Sequence, residues 1–209
     1  MNEIIPVFKP LIQDEEIEGA VESLKLGWLG MGEYVGRFEE NLKKTVEANG
    51  KHVVALSTGH AAIHLGLMLA RVGPGDEVIT PSFNNIADFQ AILAVGAEPV
   101  FCDIDPDTLC IDLNQAEKLI SRKTKAMIVM DYDCMLCDHD RVRELADKYS
   151  LRIIHDAAHS LGSKYKGQLI GSFSDICMFS FDPVKVLTCI DGGALVVNTE
   201  KEEQALHEM

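Results

Sequence analysis

The chain has 209 residues, with 19 Lys and Arg against 33 Asp and Glu for a net charge of −14, and 47% of its residues are hydrophobic. That composition excludes disordered, collagen-like and disulfide-scaffold proteins, and the acidic excess opposes binding to a phosphate backbone. No apolar run approaches the roughly 18 residues needed to cross a bilayer and no basic-then-apolar leader opens the chain, so we expect a cytoplasmic protein without nucleic acid or membrane partners.

Apolar residues recur at helical spacing over 13–26 and 33–48, with acidic residues early in each, which predicts two leading helices. From residue 52 onward, β-branched runs alternate with helical stretches. HVVAL (52–56) precedes a helix from Gly59, EVITP (77–81) one from Asn84, and PVFCDI (99–104) one from Asp112. KAMIVMD (125–131) precedes a helix over 139–149, and LRIIHD (151–156) a short helical stretch, AAHSLG (157–162). ICMFSF (176–181) leads through a polar, glycine-bearing turn region into GALVVN (193–198) and a last helix from Thr199. Continuous apolar strands between helices predict the α/β class, a three-layer α/β/α arrangement around a mostly parallel sheet covered on both faces. No Pro- or Ser-rich linker divides the chain, so one continuous unit is expected.

Metal and nucleotide motifs fail on spacing. There is no P-loop, and Gly30-Met31-Gly32 followed by Gly36 follows a helix with the wrong spacing for a dinucleotide fingerprint. Asp103, Asp105 and Asp107 open like a calcium loop, but Thr108 replaces its glycine and Asn114 its glutamate. Cys134 and Cys137 lack a second ligand pair for zinc, and the other cysteines have no framework spacing, as suits a reducing compartment. His155 and His159 stand four apart, but His155 closes a strand and only His159 is expected to be helical. No metal is predicted.

Ligands of open parallel sheets bind at the carboxyl ends of the strands, and three such ends carry complementary groups. Ser57-Thr58-Gly59-His60 opens a helix whose N–H groups can seat a phosphate, or serves only as an N-cap. Asp156 ends an apolar strand, where a carboxylate needs a cationic or hydrogen-bonding partner, or it serves as a plain helix N-cap. Lys185 stands just past another buried strand beside Val184, Val186 and Leu187, apolar company that disfavours an ammonium and makes an amine nucleophilic, or it is a surface lysine whose stem alone is covered. A phosphate seat, a carboxylate able to pair with a pyridinium nitrogen and a nucleophilic lysine are together the set that pyridoxal 5'-phosphate requires.

Through RFEENLKKTVEANGKHVVALSTGHAAIHLGL, GDEVITPSF, AILAVGAEPVFCDIDPDTLCID, IIHDAAHSLGSKYKGQLIGSFSDICMFSFDPVK and DGGALVV, which cover almost the whole chain, the sequence resembles the DegT/StrS sugar aminotransferases. That family depends on pyridoxal phosphate and has the type I aspartate aminotransferase fold. The resemblance implies Lys185 as the catalytic residue that carries the cofactor and shuttles a proton, Asp156 as partner of the ring nitrogen, and His159 against the ring. It places Ser180 with Thr58, Gly59 and His60 around the phosphate, and Asn85 where many relatives have a ring-stacking aromatic. Departures occur at His60, usually Thr, at Asp131-Tyr132-Asp133-Cys134, usually HLYG-like, and at Ile190-Asp191-Gly192-Gly193, usually GEGG.

The implied reaction moves an amino group from an amino acid, L-glutamate, to a nucleotide-linked keto sugar, in a homodimer. Residues 1–209 would form the cofactor-binding large domain, with a helical N-terminal segment over about 1–50, and the relatives' small C-terminal domain would be absent. A non-catalytic or truncated cofactor-binding protein, and an enzyme of the same fold acting on another carbonyl substrate, remain alternatives.

Overall fold

In the computed structural model, which describes residue 6 and residues 8–209, one sheet contains β1 (His52–Leu56), β2 (Glu77–Pro81), β3 (Glu98–Cys102), β4 (Thr124–Met130), β5 (Arg152–Asp156), β8 (Ile176–Ser180) and β9 (Gly193–Val197). A separate hairpin pairs β6 (Lys164–Tyr165) with β7 (Gln168–Leu169). The sheet order is β1-β9-β8-β5-β4-β2-β3. All pairings are parallel except those of β9 with β8 and β1, so β9 alone runs against its neighbours. The carboxyl ends of the other six strands therefore share one edge of the sheet.

The helices are α1 (Asp14–Leu26), α2 (Glu33–Thr45), α3 (Gly59–Leu69), α4 (Ile86–Ala94), α5 (Leu113–Leu119), α6 (His139–Tyr149) and α7 (Glu200–Glu208). Strand alternation sorts their partners. Ile128, Ile154, Met178 and Leu195 pack on one face against Leu67 of α3, Ile92 of α4 and Leu206 of α7. On the other face Val129 and Ile153 meet Ala116 of α5 and Leu145 of α6, while Cys177, Phe179 and Val196 meet Leu42 of α2. Each fully buried aliphatic side chain contributes about 1.5–3 kcal/mol, so covering both faces is what makes these short apolar strands stable. The α/β class, the three layers and the mostly parallel sheet are as expected from the sequence.

Three local features differ. Residues 157–162 form consecutive turns rather than a helix, so His159 is not helical. The Ala157 N–H donates to the Met178 carbonyl of β8, and the Ser160 and Ser163 N–H groups donate to the Ala157 and Ser160 carbonyls, so the segment is tied to β8 and runs through consecutive three-residue turns in place of a helical ladder. The β6–β7 hairpin turns on Lys166 and Gly167, both at positive φ (48° and 85°), the geometry of a two-residue hairpin loop. Helix α1 buries none of its residues, and Trp28 beyond it is 72% exposed, its Nε1–H donating to the Met31 carbonyl.

Candidate active site

A cavity of ≈ 320 Å³ opens at the carboxyl edge. Thr58, Gly59 and His60 enter it after β1, Asn85 and Asp88 from the start of α4, Asp156 from the end of β5, and Ser180 and Lys185 from the end of β8 and the loop beyond. Thr58 caps α3, its Oγ1 accepting from the Ala61 N–H at 2.9 Å. The amides of Gly59 and His60, at the first helical positions, have no intrahelical acceptor and lie at the positive end of the helix dipole. A Cβ on Gly59 would sit 2.8 Å from the Ser180 Cβ, so only glycine lets the helix start this close to the Ser180 hydroxyl. Gly193 is equally constrained, since its Cβ would lie 2.2 Å from the Thr58 carbonyl oxygen.

Asp156 is 2% exposed and accepts from the Ala158 N–H at 3.0 Å. Burial raises its carboxyl to about 6, against the pull of that amide and of the Lys185 and His155 charges. A second carboxylate shares the cavity: Asp88 is fully buried, Asn84 donates its amide to Oδ2, and Oδ1 has no partner among the described residues. Asn85 caps α4, its Oδ1 accepting from the Ala87 N–H at 2.9 Å.

Lys185 is half-buried, and its Nζ lies 3.2 Å from His159 Nε2. The other ring nitrogen, Nδ1, accepts from the Asp133 N–H at 3.1 Å. An imidazole that accepts at Nδ1 carries its proton on Nε2, so that N–H is aimed at the lysine when the lysine is a free amine. Asp133 turns its amide to the ring from a left-handed conformation (φ 49°), and Tyr132 abuts the same ring edge-on at 5.4 Å while packing against Phe83. Val184, Val186 and Leu187 are 48%, 68% and 53% exposed, so they do not enclose the ammonium as their sequence proximity suggested.

Beneath the turn that carries His159 lies a buried polar network. Asp131 accepts from the Cys137 N–H (2.9 Å) and His139 Nε2 (3.0 Å) at one oxygen, and from His155 Nε2 (2.7 Å) and Ser160 Oγ (2.9 Å) at the other. The carboxylate and the two imidazoles lie close enough together to hold a cation. Both imidazoles are already committed to the carboxylate, and the cluster acts as an ion-paired brace between β4, β5 and α6.

The structure thus gathers seven of the expected residues, Thr58, Gly59, His60, Asn85, Asp156, Ser180 and Lys185, around one cavity, and His159 joins them through Lys185. Asp88 escapes motif reading, and Asp131 enters it only within a departure from the family pattern. Asp88 could be found from its helical spacing with the buried Ala91 and Ile92, and Asp131 from its place at the end of an apolar strand, the position Asp156 also holds.

The donor set fits pyridoxal phosphate: a buried carboxylate with one donor among the described residues, an amine within reach of an imidazole, and a helix start whose close approach to Ser180 a Cβ would fill. Solved structures agree in fold. The sugar aminotransferase Spr1654 of Streptococcus pneumoniae, known in PLP and PMP forms, superposes with a TM-score of 0.90 at 33% identity, over 98% of this chain and 56% of its own; TlmJ of Streptoalloteichus hindustanus does so at 0.91 and 33%, over 97% and 56%. In sequence, the UDP-4-amino-4-deoxy-L-arabinose–oxoglutarate aminotransferase of Shewanella sediminis (strain HAW-EB3) is 37% identical over 204 residues, 98% of this chain and 51% of that protein. The chain thus spans about half the length of these relatives. Residues 10–209 match the DegT/DnrJ/EryC1/StrS aminotransferase family, and the chain belongs to it.

Proposed function

We propose that this chain is the pyridoxal phosphate-binding large domain of an aminotransferase that takes an amino group from L-glutamate and delivers it to a nucleotide-linked keto sugar. The observation that carries the reading is the convergence of Lys185, Asp156 and the α3–Ser180 seat on one cavity. The donor and acceptor classes are supported by the similarity to a relative named for a UDP-linked amino sugar and oxoglutarate. The large domain spans 1–209, with residues of about 1–50 as its N-terminal helical segment. A homodimer is supported by the apolar surface of that segment, where Leu11, Ile17, Leu24, Trp28 and Leu29 are exposed.

When bound, pyridoxal phosphate supplies an aldehyde that takes up an amine and a ring that withdraws electrons from the carbon beside it. Lys185 Nζ is the amine that would hold the cofactor and, as a free amine, would move a proton as general base and acid. His159 Nε2 orients that amine through the 3.2 Å contact. Asp156 would hold the ring nitrogen, a cationic partner that would lower the cost of burying its charge. The Gly59 and His60 amides and the Ser180 hydroxyl would hold the phosphate.

The test is the visible absorption of the purified chain with added pyridoxal phosphate, before and after L-glutamate. A visible band that depends on Lys185 and is removed by glutamate is expected. Absence of the band overturns the cofactor assignment, and a band that glutamate leaves unchanged overturns the half-reaction while leaving the binding.

A further inference from the structure

Four aspartates line the cavity and the chemistry above uses only Asp156; of the other three, Asp88 is the fully buried one. Asp88 and Asp156 both line it, and both are at most 2% exposed. The other titratable groups lining the cavity are His60, Asp182, Asp191 and the single lysine, Lys185. Two buried carboxylates that feel one another's charge do not both ionise when the cations nearby are fewer than the anions; one keeps its proton. The protein distinguishes the two by their surroundings. Each accepts from one neutral amide, Asp156 from the Ala158 N–H at Oδ1 and Asp88 from Asn84 at Oδ2, and the Lys185 charge acts on both. The His155 charge acts on Asp156 as well, whereas the fully buried Asp88 Oδ1 has no partner among the described residues. An ionised Oδ1 would be buried without a donor, whereas a protonated Oδ1 is itself a donor that needs only an acceptor.

Resting on the cofactor reading above, we propose that Asp88 is a positioning residue: it stays a neutral carboxylic acid at neutral pH and donates a hydrogen bond to the Asp156 carboxylate, fixing Asp156 as the one anion that meets the ring nitrogen. Burial, reinforced by the Asp156 charge and only partly offset by Asn84 and Lys185, holds the Asp88 carboxyl well above the usual carboxylate range, in keeping with that role. The Asn84 contact holds the carboxyl in the first turn of α4, so that Oδ2 stays with Asn84 and Oδ1 is the oxygen left free.

The experiment is a pH titration of the carboxyl ¹³C resonances of the 209-residue chain labelled at aspartate, without cofactor, for the wild type, Asp88→Asn and Asp88→Leu. One aspartate resonance should remain in its protonated position at pH 7 and vanish in both variants. In Asp88→Asn, whose amide still donates, the Asp156 midpoint should stay within about half a pH unit of wild type. In Asp88→Leu, which cannot donate, it should rise by about one unit, a tenfold change in proton affinity. Pyridoxal phosphate titrations should follow the same split, with affinity near wild type for Asp88→Asn and about tenfold weaker for Asp88→Leu. An Asp88 resonance that is ionised at pH 7, or an Asp156 midpoint that does not move in Asp88→Leu, overturns the proposal. A wild-type chain that shows the protonated Asp88 but forms no Lys185-dependent band with pyridoxal phosphate overturns the cofactor reading and leaves the proton assignment standing.

Discussion

At Asp131 one fully buried carboxylate accepts from four donors, and its removal strands two imidazoles, a hydroxyl and a backbone amide together. Asp131→Ala should therefore destabilise the chain by about 3–5 kcal/mol in urea unfolding, the range for breaking one partner of a buried charge pair. The pair also sets a pH window. Burial alone would push the Asp131 carboxyl up, but His155 and His139 outweigh it and hold it well below the usual carboxylate range, a contribution lost as pH falls below 3.8. Burial would likewise push His155 down, but Asp131 outweighs it and holds the ring well above 6.5, a contribution that declines as pH rises past that value. The stability gap between wild type and Asp131→Asn, followed by melting at successive pH values, should thus be widest between about pH 4 and 6.5 and narrow on either side. Ile190 is a second residue-scale case. It is β-branched, 81% exposed and held at φ 77°, a conformation costing an L-residue about 1–2 kcal/mol. Ile190→Gly should raise stability by roughly 1 kcal/mol after the entropy of the unfolded glycine is subtracted.

Among the elements, α3 and α7 show how helix starts serve different ends. Thr199 and Glu202 form a reciprocal capping box on α7, and Glu202 also accepts from Arg152 Nη2 at 2.9 Å, tying the helix to β5. Thr199→Ala should cost about 1 kcal/mol in chemical denaturation and leave cofactor binding unchanged. The α3 start is constrained by contact rather than by its cap. Gly59→Ala drives a methyl into the Ser180 Cβ, so it should cost about 1–3 kcal/mol and weaken pyridoxal phosphate binding in a fluorescence titration, because relief requires the helix start to move off Ser180. Equal affinity in that variant would show that the seat does not depend on this approach. Element type and order were legible before the structure: β1, β2 and α6 begin and end where the apolar runs and their caps place them. The turns over 157–162 were not, because the segment is tied by the Ala157 N–H to Met178 of β8, a partner distant in sequence.

For the whole molecule, the cavity is an electrostatic liability in the cofactor-free chain. Asp88 and Asp156 both have carboxyls raised by burial, so each stabilises the fold below the unfolded value near 3.8 and loses that contribution as pH rises through its folded value. Asp88→Asn removes one of these two dependences. Its melting temperature should gain on wild type steadily between about pH 4.5 and 8, and a difference independent of pH would show that Asp88 titrates normally in the folded chain. The sequence by itself determined the layers and the strand and helix pattern, and it supplied a capped helix start, a strand-end carboxylate and a lysine as candidate groups, because those follow from periodicity, capping and residue type along a local stretch. Only the tertiary structure decided the strand order that puts β1, β5 and β8 at one edge, the contact of His159 with Lys185 across 26 positions, the capping role of Asn85, the outward-facing apolar neighbours of Lys185, and the meeting of Asp88 and Asp156 in the lining of one cavity. These depend on which segments fold next to one another, and on how much water remains between them, which the order of residues along the chain does not state.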